Sequence, residues 1–149
     1  MLQGAAAFAF DQEGRVLLAR HSETGMWSAV EGAIEPGERP SDAALREFWE
    51  ETGSVVQIVR LLGVFGGPEF QFKYANGDLV AYTSIAFEVS LVQGVPTPDG
   101  TEVTRLEWFS VAEVPQLPMR ADNRIVVECA IASRNAPGFQ DPVWRPLGP

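Results

Sequence analysis

Three glutamates, Glu47, Glu50 and Glu51, stand at i, i+3 and i+4 near the end of the run 32–54, GAIEPGERPSDAALREFWEETGS. On a helix that spacing gathers all three carboxylates on one face. Like charges so placed repel by about 0.2–0.5 kcal/mol per pair. Glu50 and Glu51 also fall in the last turn, where the helix dipole disfavours an anion by about 0.3–1 kcal/mol. A sequence that breaks its own local rules in one place marks that place for function. A divalent cation held between the carboxylates would reverse the sign of both penalties. The bland alternative, a solvated acidic face, is the commoner fate of three glutamates taken alone.

The helix that must carry them is legible from its ends. Ser41 is expected as N-cap with Asp42 in the first turn, and Gly53 as the C′ stop. Ala44, Leu45 and Phe48 supply a neighbouring apolar face that can bury itself. Ahead of the helix, residues 4–10 and 15–20 flank a DQEG turn and predict a hairpin. Strands are expected over 55–66, 69–74, from 79 onward after the ANGD turn, and over 105–109. A second helix is predicted from Asp122 through NRIVVECAIASR, where apolar positions recur at helical spacing. Hairpin strands with two helices imply a mixed sheet with helices on its faces. The Pro/Gly-rich tail, residues 135–149, reads as loosely docked, with Trp144 as its point of contact.

Composition narrows the function. The 149 residues suit a single domain with a proper core. A net charge of −9 argues against nucleic acid or an anionic membrane as partner. Cys129 is the only cysteine and lies in an apolar run, so it is expected in the core. His21, the only histidine, is expected as an exposed loop residue. The opening MLQGAAAFAF lacks a basic n-region and reads as a strand, which makes a reduced, cytoplasmic protein the default.

Residues 32–54 resemble the signature of the Nudix (MutT-like) hydrolases, G-x5-E-x7-R-E-U-x-E-E-x-G-U, where U is a bulky aliphatic. Gly32, Glu38, Arg46, Glu47, Glu50, Glu51 and Gly53 match it in spacing, with Phe48 in the first U position and Ser54 in the last. Seven fixed positions would coincide by chance in a chain this long less than roughly once in a million. The resemblance implies an α/β fold, an α/β/α sandwich with a mixed sheet between helices. It also implies hydrolysis of a nucleoside diphosphate linked to another group, with nucleoside triphosphates or nucleoside diphosphate sugars favoured. Such chemistry needs cations to neutralise the phosphates and hold a water in line, and hard Mg²⁺ or Mn²⁺ suits oxygen donors.

Glu50 and Glu51 are then expected as metal ligands, and Glu47 as a further ligand or the catalytic base. Arg46 is expected to turn to another side of the helix and pair with Glu38, fixing the loop against the helix. Glu102 is the candidate for one more acidic ligand, with Asp99 a weaker alternative. Arg20 and Tyr74 are candidates for substrate contact, Lys73 is expected at the surface, and Phe70, Phe72 and Tyr82 lie where one or two could line a base pocket. The pattern departs from the family at Glu31, where glycine is usual before the first signature glycine. The partner is a small nucleotide, and a homodimer through exposed strands or the Trp144 tail is compatible. The rival reading is a catalytically silent nucleotide sensor, disfavoured because all four signature glutamates are present.

Overall fold

β1 (Leu2–Ala9) is the pivot of the computed structural model, which describes residues 2–147. From Ala5 to Ala9 the strand is buried on both faces, the apolar continuity of a strand covered on either side. One edge of β1 pairs parallel with β7 (Leu79–Gln93), and the other pairs antiparallel with β4 (Val30–Ala33). β7 also takes β5 (Val55–Phe65) antiparallel, and short β6 (Gln71–Lys73) pairs with its first residues. The order is therefore β4-β1-β7-β5, a mixed sheet. A second, antiparallel sheet has the order β3 (Trp27–Ser28), β2 (Val16–His21), β8 (Val103–Phe109).

Two helices cover opposite faces of the mixed sheet. Ala5, Ala7 and Ala9 of β1 pack with Ala43, Ala44 and Phe48 of α1 (Pro40–Thr52). The alternate residues Ala6 and Phe8 pack with Val126, Val127 and Ala130 of α2 (Ala121–Ala132). That division follows directly from the two-residue period of a strand. Small side chains on both β1 and α1 let the helix settle close to the sheet, and fully buried Phe48 contributes about 1.5–3 kcal/mol of transfer free energy. The expected α/β/α arrangement is the one observed.

Four local expectations differ from the structure. β1 and β2 do not form a hairpin; they lie in different sheets, pack through their side chains, and the segment between them is bridged at Phe10–Val16. Both edges of β1 are already taken by β4 and β7, so β2 has no edge to join. The turn is held instead by the Asp11 carboxylate, which accepts from the Arg15 backbone N–H at 2.8 Å and Nε at 2.6 Å. Ser41 is not the N-cap of α1. Pro40 occupies the first turn and Arg39 caps without a side-chain bond, because proline needs no amide donor there and presets φ.

The tail, finally, docks through its glycine and not its tryptophan. Gly138 donates its N–H to the Leu62 carbonyl at 2.7 Å and bridges Gly63. Gln140 makes two bonds to the Gly66 backbone, at 2.8 and 2.6 Å. Trp144 is 77% exposed. Cys129, expected in the core, is half-buried beside it.

Candidate active site

α1 brings its carboxylates over the end of β4. At Gly32 a side chain is excluded outright, since an added Cβ would collide with the Glu47 carboxylate. The helix ends as its sequence requires: Gly53 adopts φ 71° and returns its N–H to the Trp49 carbonyl at 2.8 Å. No basic residue lies in the last turn, so the dipole penalty on Glu51 is not offset by a neighbour on its own helix.

Arg46 is the hub. Its Nε and Nη2 donate to Glu38 at 2.8 and 2.9 Å, a bidentate pair. Nη2 also reaches the Ala33 carbonyl at 2.9 Å, tying the loop after β4 to the helix. The remaining nitrogen, Nη1, donates to Glu47 at 2.7 Å and to Glu50 at 3.2 Å. Arg46 therefore does not turn away from the carboxylate face as expected but serves the loop and that face together. The side chain is long enough to bridge both, which helical spacing alone does not reveal. Its guanidinium, with the Glu35 backbone amide, holds the Glu38 carboxyl down at about 2.

The acidic face holds carboxylates in a buried setting. Glu51 is 2% exposed, and its Oε2 has no hydrogen-bond partner. Burial first, then the charges of Glu47, Glu31 and Glu102, push its carboxyl up to about 9, opposed by the Glu31 backbone amide. Glu47 is also raised, mainly by burial, while Arg46 opposes the shift. Glu50 is about half exposed at its side chain (47%). Among the described residues no three acidic, histidine or cysteine side chains already stand as a coordination sphere, since Arg46 draws Glu47 and Glu50 to itself. The donor set nevertheless fits a hard cation: oxygen ligands throughout, one of them buried and unpartnered.

Beside this face lie two cavities, of about 270 and 330 Å³. Glu31, His21, Arg120 and Asn123 line both. The first is walled by Phe72 and Tyr82, whose ring centroids are 6.1 Å apart. The second carries Glu102. Tyr82 donates its hydroxyl to Asp122, a buried residue that also pairs with Arg120 at 3.3 Å.

His21 is not the exposed loop residue expected. It ends β2 half-buried, with Nε2 2.7 Å from the Ser28 hydroxyl, and burial lowers its pKa. Asp99 accepts three backbone amides, from Thr101, Glu102 and Val103, so its carboxylate is spent on holding the loop. Arg20 and Tyr74 line neither cavity: Arg20 donates to the Gly25 carbonyl at 3.0 Å, and Tyr74 is exposed at the β6–β7 turn. Lys73 is exposed, as expected, and Phe70 is core.

The sequence reading did not anticipate Arg120, Asp122 and Asn123 as cavity residues. Their only signal was a polar helix start, which reads equally well as capping.

The NUDIX domain family model matches residues 2–128. The chain belongs to the Nudix family. This Nudix chain is 30% identical over 113 residues to a Bacillus subtilis protein described provisionally as an 8-oxo-dGTP diphosphatase, covering 76% of this chain and 69% of that one. It is 32% identical over 124 residues to the NAD-capped RNA hydrolase NudC of Vibrio parahaemolyticus, covering 81% of this chain but 44% of the relative. The chain thus spans less than half of that NudC. Among solved structures, the MutT Nudix hydrolase of Burkholderia pseudomallei superposes with a TM-score of 0.67 at 25% identity, covering 90% of this chain and 98% of that one. The Vibrio and Bacillus Nudix relatives are thus a hydrolase and a provisional diphosphatase respectively.

Proposed function

We propose that this Nudix chain cleaves a phosphoanhydride bond in a nucleoside diphosphate linked to another group, with Mg²⁺ or Mn²⁺ as cofactor. Glu50 and Glu51, with Glu102 from the loop facing them, would hold the metal, and Glu47 would serve either as a further ligand or as the catalytic base. A divalent ion there supplies charge neutralisation at the diphosphate and a more acidic water.

The chain's own residues account for the rest. Glu47, beside Gly32 and held by Arg46, is positioned to accept a proton from an attacking water, and burial raises its affinity for that proton. Arg46 and Glu38 keep the loop and helix in register. The Phe72 and Tyr82 rings, inclined at 53° to one another, offer aromatic surface against which a base could pack. Nucleoside triphosphates are favoured, in keeping with the name of the Bacillus relative, and nucleoside diphosphate sugars come next.

The observation that carries this reading is the buried, unpartnered Oε2 of Glu51, set among three other carboxylates. Such a group is destabilising unless something cationic completes it. The test is a panel of nucleoside triphosphates, nucleoside diphosphate sugars and dinucleotides with Mg²⁺ or Mn²⁺, assayed for phosphate and pyrophosphate release. Metal-dependent turnover of at least one class is expected. Absence of turnover on every substrate, with tight binding of one, would favour a sensor.

A further inference from the structure

Between the two cavities stands a carboxylate that the scheme above does not use. Glu31 is half-buried on β4 and lines both cavities. Only burial and through-space charge act on it, with no hydrogen bond to its side chain. Arg120, whose charge acts on it, is paired to Asp122 at 3.3 Å. A half-buried carboxylate without a partner is costly, and the cavity is where a partner can reach it.

The same wall holds a second unsatisfied acceptor. Asn123 is 8% exposed, and its Oδ1 is buried with no hydrogen-bond partner. His21 adds a third. The Ser28 hydroxyl donates its only proton to the Ala29 carbonyl at 2.8 Å, so it must accept from His21 Nε2–H at 2.7 Å. Neutral His21 then carries its lone pair on Nδ1. The shared wall is therefore rich in acceptors and faces a surface of Phe72 and Tyr82 suited to a planar group. A cavity of about 270 Å³ falls below the roughly 300–1,000 Å³ of drug-sized sites, which suits a base alone and not a whole nucleotide.

We propose that the Glu31 carboxyl is a specificity-determining group that selects bases presenting an amino group beside a ring N–H into the Phe72–Tyr82 cavity. The inference rests on the nucleotide reading above. When ionised, a carboxylate accepts from two adjacent donors at once, whereas a base edge that alternates donor and acceptor leaves part of the wall unsatisfied. Unsatisfied buried groups discriminate more strongly than missing apolar contacts do.

The test is calorimetric binding of GMP and IMP, which differ only in the 2-amino group, to metal-free wild type, Glu31→Gln and Glu31→Ala. It reads affinity without turnover. Wild type is expected to bind GMP roughly tenfold tighter than IMP. Glu31→Ala should reduce the ratio to about twofold or less, with IMP affinity nearly unchanged, and Glu31→Gln should fall between. A merely structural role would weaken both ligands alike, and that result overturns the proposal. Equal binding of GMP and IMP by wild type overturns it too while leaving the nucleotide reading intact. Binding of neither by wild type overturns it as well, and the substrate panel then decides the nucleotide reading separately. Including dGMP closes the remaining alternative: if Glu31→Ala changes the ratio of GMP to dGMP and leaves GMP to IMP untouched, the donor read is a sugar hydroxyl and the base-selection proposal is wrong.

Discussion

At the scale of single residues, the site is governed by charges that the fold confines. Glu51→Gln removes a buried carboxyl that burial and neighbouring carboxylates push up to about 9 and whose Oε2 has no partner, and a buried polar group left unsatisfied costs about 1–3 kcal/mol. The metal-free variant is therefore expected to melt roughly 3–9 °C higher than wild type while losing metal-dependent turnover. Scanning calorimetry beside an activity assay at saturating Mg²⁺ checks both, and near wild-type turnover would remove Glu51 from the site.

Glu38 gives a pH prediction. Its folded carboxyl titrates at about 2, below the ordinary 4.5. The group thus contributes stability that is present above pH 4.5 and lost as pH falls toward about 2. In Arg46→Ala the carboxyl should return toward 4.5, as a ¹³C NMR titration would record, and activity should fall because the loop loses its tie to the helix. Gly32→Ala is expected to be worse than its size suggests. The added methyl meets the Glu47 carboxylate, so turnover should collapse together with a loss of about 1–3 kcal/mol in urea unfolding.

At the scale of elements, α1 works because its two faces are assigned different tasks. Ala43, Ala44 and Phe48 bind the helix to β1, and the acidic face stays toward the cavities. The helix must stop where it does, and Gly53 permits this at φ 71° with open space around it. Gly53→Ala should cost about 1–2 kcal/mol from the left-handed backbone alone. It should lower the urea midpoint with an unchanged m-value, and a variant as stable as wild type would contradict the cap.

At the scale of the whole molecule, the tail closes over β5 through a close approach of two backbones. A Cβ at Gly63 or Gly138 would strike the Gly138 carbonyl or the Ser133 hydroxyl respectively. Gln140 adds two bonds to the Gly66 backbone. Gln140→Ala should therefore cost about 1–3 kcal/mol, whereas Trp144→Ala, at an exposed residue, should change the unfolding free energy by less than about 0.5 kcal/mol. The reverse order of effects in denaturation would show that the tryptophan anchors the tail.

Local chemistry determined much of this protein. The i, i+3, i+4 glutamates had to share a helix face, Gly53 had to end the helix, and the ANGD turn had to join β6 to β7, since each depends on neighbours in the chain. The tertiary structure decided what depends on competition between distant segments. β4 and β7 occupied both edges of β1, so β2 went to another sheet. Arg46 hydrogen-bonds three carboxylates, and only the folded geometry set how they share it. The Glu31 side chain, read in the chain only as a departure at the entry to the signature, became a cavity wall because α2 and β2 converge on it from 89 and 10 positions away in Arg120 and His21. Periodicity fixes which way a side chain faces along its own element; what it meets there is set by packing.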